Sequence, residues 1–165
     1  DANWIFYRVS DMMLIKAEAL LYMAGDDLTD ERNDSLVHAA YDLIAAVSHR
    51  SATGGIDNYG SGSAASRSSL INFLFDERRR EFLFEGKRWF DLVRRSRHDG
   101  NNTEYLIQQV SVKHSESAST VTGKLRNYMA MYWPYNYDEV RVNENLHQNP
   151  AYPESDDSSY ESTTN

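Results

Sequence analysis

The segment ERRREFLFEGKRWFDLVRR, Glu77 to Arg95, places charge where a helix should bury apolar side chains. At 3.6 residues per turn, Leu70, Phe73, Leu74, Phe82 and Phe84 share one broad arc, and Glu77, Arg78, Glu81 and Glu85 fall inside it. An unpaired buried carboxylate is strongly destabilising, so carboxylates at i, i+4 and i+8 require cationic partners or a ligand. The nearest candidates are Arg88, Arg94 and Arg95, with Arg8 farther off; arginine suits the task because its planar fork reaches two carboxylate oxygens at once. The expectation is a structural ion-pair network of Glu77, Arg78, Glu81, Glu85, Arg88, Asp91, Arg94 and Arg8. The spacing predicts a helix from Ser68 or Ser69 to Glu85, a stop or turn at Gly86, and a short helix from Lys87 to about Ser96.

Elsewhere the periodicity is also helical. Ser10 to about Ala24 is apolar nearly all round, which predicts a helix buried from several directions, with Gly25 as a left-handed C-terminal cap. Thr29 or Asp30 can cap a second helix over Glu31 to Ser48, whose stripe is Leu36, Ala39, Ala40, Leu43, Ile44 and Val47. Two helices joined by a short turn are similar to one tetratricopeptide-like unit, which must stack on something else to cover its faces. SATGGIDNYGSGSAASRSS, Ser51 to Ser69, has the composition of a flexible surface loop. His98 to Ser119 reads as polar and irregular, with Val110-Ser111-Val112 alternating as a short strand would. Pro134 should terminate the element that ends at Trp133, and the tail from residue 153 to 165 is acidic and flexible by composition.

A formal charge of −8 argues against nucleic acid as a partner, because phosphates are repelled by an acidic surface. No apolar run approaches the roughly 20 residues of a spanning helix, and the absence of cysteine excludes disulfides and thiolate metal sites. The ladder Glu77, Glu81, Glu85 offers oxygens on one face, yet a bundle metal site needs a Glu-x-x-His on each of two facing helices and this chain has that spacing only at Glu144–His147, so no metal or cofactor is expected. Neither a Gly-x-Ser-x-Gly elbow nor a phosphate loop is present, and no catalytic residue is assigned.

Two further blocks bear on kinship. Tyr7 to Leu20 carries Tyr-Arg-x-x-Asp-x-x-Leu-x-x-Ala-Glu-Ala, and Trp133 to Tyr152 carries WPYNYDEVRVNENLHQNPAY. Together with Glu-Arg-Arg-x-Glu and Phe-Glu-Gly-x-Arg-Trp-x-Asp-Leu-x-Arg, in this order, they resemble the C-terminal part of SusD/RagB proteins, the surface glycan-binding lipoproteins of Bacteroidetes outer membranes. Asn136, Glu144 and Ala151 depart from the family's Pro, Pro and Gly. The resemblance implies a mainly α, SusD-like helical fold with tetratricopeptide-like helix pairs and long irregular loops. It makes residues 1–152 the C-terminal domain of a longer protein.

The implied function is non-catalytic capture of oligosaccharides, polysaccharides or other nutrients for polysaccharide utilisation, and delivery to a SusC-like TonB-dependent transporter. The protein would be lipid-anchored at the outer membrane through upstream sequence. The alternative is a helical interaction module that docks the transporter or another domain without touching sugar. Pyranose faces lie flat on exposed aromatic rings while hydroxyls bond to amides and carboxylates. That chemistry favours Tyr59 with Asp57 and Asn58, and Tyr105 near Asn101 and Asn102, as sugar contacts. Trp133, Tyr135 and Tyr137 with Asn136 form a third group, read as packing because the run leads into the family's closing segment.

Overall fold

The computed structural model describes residues 6–50, 66–113 and 117–152. Among these are seven α-helices and no strand: α1 (Val9–Met23), α2 (Glu31–Arg50), α3 (Arg67–Glu81), α4 (Arg88–His98), α5 (Glu104–Ser111), α6 (Ala118–Leu125) and α7 (Tyr137–Val142), with a 3-10 turn at Tyr128–Met131. The chain divides into two compact units, Asp1–Asp91 and Leu92–Asn165.

In the first unit, α1, α2 and α3 pack together. Each contributes one buried stripe: Leu14, Ala17 and Leu21 from α1; Val37, Ala40, Ile44 and Val47 from α2; Leu70, Ile71, Leu74 and Phe75 from α3. Two arginines fix how α1 and α3 run. Arg8, just before α1, donates to the Glu81 carbonyl at the end of α3 (2.7 Å), and Arg67, opening α3, donates to the Leu21 carbonyl in the last turn of α1 (2.6 Å). Each start meets the other's end, so the helices are antiparallel, and each C-terminal dipole receives a cation.

Several local expectations are corrected. α1 is not buried from several directions: Val9, Met12, Ile15 and Met23 are exposed, because α2 and α3 cover only one arc of it. The stripe of α2 is turned slightly, burying Val37 and leaving Ala39 exposed. Gly25 is not a left-handed cap, since Ala24 is extended (φ −73°, ψ 141°) and the left-handed glycines among the described residues are Gly86 and Gly100. Glycine at position 25 instead permits close approach: its N–H donates to Asn33 Oδ1 at 2.9 Å, and a Cβ there would lie 2.9 Å from Asn33 Nδ2 and displace that side chain. Asp30, rather than Thr29, meets the start of α2, its Oδ1 accepting from the Arg32 N–H.

Helix α3 starts after Ser66, whose hydroxyl accepts from the Ser69 N–H, and stops at Glu81 instead of reaching Glu85. The chain then turns through Phe84 (φ 66°) and Gly86 (φ 72°), so Glu85 lies outside the helix it was expected to end.

In the second unit, α5 packs on α6, and α6 on the 3-10 turn. The alternation of Val110 and Val112 marks no strand, because Leu106, Ile107 and Val110 form one helical face, and Asn102 Oδ1 accepts from the Glu104 N–H to start the turn. Asn136, a departure from the family pattern, caps α7 by accepting from the Asp138 N–H (2.9 Å). The closing Gln148-Asn149 pair is buried and bonds to backbone. Gln148 accepts from the Tyr135 N–H (2.9 Å) and donates to the Tyr135 carbonyl (3.0 Å), while Asn149 Nδ2 donates to the Met129 and Tyr132 carbonyls (2.9 and 3.2 Å). No helix among the described residues is long and apolar enough to cross a membrane.

Candidate functional site

The charged residues of the first unit join into one alternating chain. Arg50 pairs with Glu81; Glu81 with Arg8 (2.8 Å); Arg8 with Glu85 (2.6 Å); Glu85 with Lys87 (3.4 Å); Lys87 with Asp11 (2.7 Å); Asp11 with Arg78 (3.0 Å); and Arg78 with Asp91 (2.9 Å). Cation follows anion throughout, so the formal charges cancel. The inner end is the driest: the side chains of Asp11, Arg78 and Asp91 are 1–3% exposed. Arg78 spans its two carboxylates with different nitrogens of one guanidinium, both at 3.0 Å or less, whereas the Lys87 ammonium holds Asp11 at 2.7 Å and Glu85 only at 3.4 Å.

Phe82, buried where α3 ends, sits among three of these cations. Arg8, Arg78 and Lys87 lie 5.0, 4.9 and 4.7 Å from its ring centroid, within cation–π range. The aromatic residue that looked like simple core is the apolar surface on which the network is laid.

The three glutamates of the ladder do not act together. Glu81 and Glu85 share Arg8, whereas buried Glu77 pairs within its own helix with Arg80 at 2.5 Å. Arg88 sends Nη1 to the Phe75 carbonyl (3.0 Å), and Arg94 is half-buried on α4. Asp11, Lys87 and Arg50 join the network without being among the residues expected from the sequence. Asp11 carried a readable signal, since it falls on the buried stripe Leu14, Ala17, Leu21, the same intrusion of charge into an apolar arc that marks Glu77. Lys87 and Arg50 lie at helix ends in polar surroundings and carried no such signal.

The electrostatics favour ionised carboxylates. Burial pushes the Asp11 carboxyl up, but Lys87 and Arg78 outweigh it and hold it below its ordinary value. Burial likewise pushes Glu81 up, and the cations it pairs with, Arg50 first and then Arg8, bring it below the usual range. Arg8 is raised, chiefly by its hydrogen bond to Glu85. Neither carboxyl is poised near neutrality as a general acid would be.

Because Asp11 and Glu81 bind protons more weakly folded than unfolded, they add stability above their unfolded pKa values, about 4, and that stability is lost as pH falls through their lower folded values. The urea midpoint should therefore drop between pH 5 and pH 3, less steeply in Asp11→Asn. A midpoint flat across that interval would contradict the assignment.

Of the expected sugar contacts, Asp57, Asn58 and Tyr59 lie outside the described residues. Tyr105 is half-buried in the first turn of α5, and the Arg95 guanidinium lies 4.0 Å from its ring centroid, so one face of the ring is occupied. Trp133, expected to pack, is 80% exposed. Among the described residues no group of three or more His, Asp or Glu side chains is placed to hold a metal ion.

Residues 1–152 match the family model of the SusD family. SusD-like protein P38 of Formosa agariphila is 35% identical over 94 residues, a stretch covering 57% of this chain and 17% of that protein. No solved structure gives a significant match.

Proposed function

Because the chain belongs to the SusD family, we propose that it serves non-catalytic capture of glycans at the bacterial cell surface, for delivery to a SusC-like TonB-dependent transporter of the outer membrane. The protein would be held there by a lipid anchor carried outside these 165 residues. The family match over residues 1–152 carries the proposal. The ion-pair network is consistent with it, since Asp11, Glu81, Glu85 and Asp91 are engaged by cations within the fold. In this reading the network is structural, and Tyr59, Asp57, Asn58 and Tyr105 are proposed sugar contacts.

The test is affinity electrophoresis through gels containing pullulan, laminarin, xylan or galactomannan, beside an assay for released reducing ends. At least one polysaccharide should retard the protein, Tyr59→Ala should weaken that retardation, and no reducing ends should appear. Release of reducing ends would overturn the non-catalytic reading.

A second reading, a helical module that docks the transporter or another domain, is favoured by the exposed Phe6, Tyr7, Val9, Leu83, Phe84 and Phe90 of the first unit. Absence of retardation in every gel would favour it.

A further inference from the structure

The most exposed tryptophan among the described residues is flanked by backbone that buried side-chain amides hold in place. Trp133 is 80% exposed and Tyr135 51%, with Pro134 between them. Pro134 fixes its own φ and confines Trp133 to extended backbone. On one side, the Tyr132 carbonyl accepts from Asn149 Nδ2 (3.2 Å) and the Tyr132 hydroxyl accepts from Arg97 Nη1 (2.9 Å). On the other, the Gln148 amide grips both the N–H and the carbonyl of Tyr135 (2.9 and 3.0 Å). Two adjacent buried amides thus pin the peptides flanking Trp133, yet the indole itself is left in water.

A large aromatic surface kept exposed on a fixed backbone is what a stacking ligand needs, because little conformational entropy remains to be lost on binding. The rest of the surface indicates which ligand. In the first unit, the exposed large hydrophobic residues mix aliphatic Val9, Met12, Ile15, Met23 and Leu83 with aromatic Phe6, Tyr7, Phe84 and Phe90. In the second, apart from Val112 and Val142, they are Tyr128, Trp133 and Tyr135. Exposed Asn136, Asn143, Asn145 and His147 follow in the same closing segment and supply donors and acceptors suited to hydroxyl groups.

We propose that Trp133 and Tyr135 form a carbohydrate-stacking platform, a sugar-contact site of this chain additional to Tyr59 and Tyr105; the inference rests on the glycan-capture reading. The indole face takes the C–H face of a pyranose ring, and the amides of the closing segment take its hydroxyls.

The full chain, Trp133→Ala and Trp133→Phe are compared in gels containing pullulan, laminarin, xylan or galactomannan. Wild type should be retarded by at least one of them. Trp133→Ala should bind that polysaccharide about tenfold more weakly or worse, equivalent to about 1.4 kcal/mol, and Trp133→Phe should recover part of the loss. Melting temperature and far-UV circular dichroism should not change, because the indole is exposed. Equal retardation of wild type and Trp133→Ala overturns the platform and leaves glycan capture standing. A wild type that no polysaccharide retards overturns the platform and the glycan-capture reading together.

Discussion

Replacing Arg78 with methionine is expected to destabilise the first unit by about 3–5 kcal/mol, the range for removing one partner of a buried ion pair. Methionine keeps an apolar stem out to the δ and ε positions and removes the guanidinium, so the main loss is electrostatic. Arg78 is the only residue in the alternating chain that bonds two carboxylates which are both almost completely buried. Without it, Asp11 keeps Lys87 but loses its inner cation, the carboxylate of Asp91 loses the guanidinium at 2.9 Å, and Phe82 loses one of three cations over its ring. Arg78→Lys should recover only part of the loss, because an ammonium reaches one carboxylate well and not both. The urea midpoint of the three proteins at pH 7 checks this, and a loss below about 1 kcal/mol in Arg78→Met would show that the pair is no better than a surface salt bridge.

The second large effect should come from Gln148→Ala, expected to cost about 2–3 kcal/mol through unsatisfied backbone groups. The side chain is small and uncharged, yet its amide serves three backbone groups: the N–H and carbonyl of Tyr135 and the N–H of Asn149, at 2.9, 3.0 and 2.8 Å. Truncation leaves those groups, part-buried at Tyr135 and buried at Asn149, without their partner. Gln148→Glu keeps the accepting oxygen, loses the donor and sets a carboxylate against the Tyr135 carbonyl, so it should not rescue. Hydrogen exchange at the Tyr135 amide is the direct measurement: faster exchange is expected in both variants. Unchanged exchange would show that the amide is protected by something other than Gln148.

Both effects arise from residues with little hydrophobic content, which explains what could be read without the fold. Helical periodicity is a local property, so the sequence by itself determined that α1, α2, α3 and α4 exist and roughly where they begin and end. It also determined that Glu77, Arg78, Glu81 and Glu85 lie near a buried surface, because charge inside an apolar arc is visible along one helix. The family was equally legible, since its motifs are carried by residue identity and order.

Partnership was not legible. Which cation meets which carboxylate depends on the antiparallel closure of α1 on α3, which brings Arg8 to Glu81 across 73 positions of sequence and Lys87 to Asp11 across 76. Nothing in the spacing of either segment encodes that register. Glu85 was misplaced for a related reason: α3 stops at Glu81, where Arg8 takes the end carbonyl, and the following turn carries Glu85 out of the helix while still delivering it to the same arginine. Exposure, too, was decided by tertiary structure. Trp133 has the composition of core but stands in water, because Gln148 and Asn149 hold the backbone on either side of it and supply from hydrogen bonds the rigidity that burial would otherwise provide.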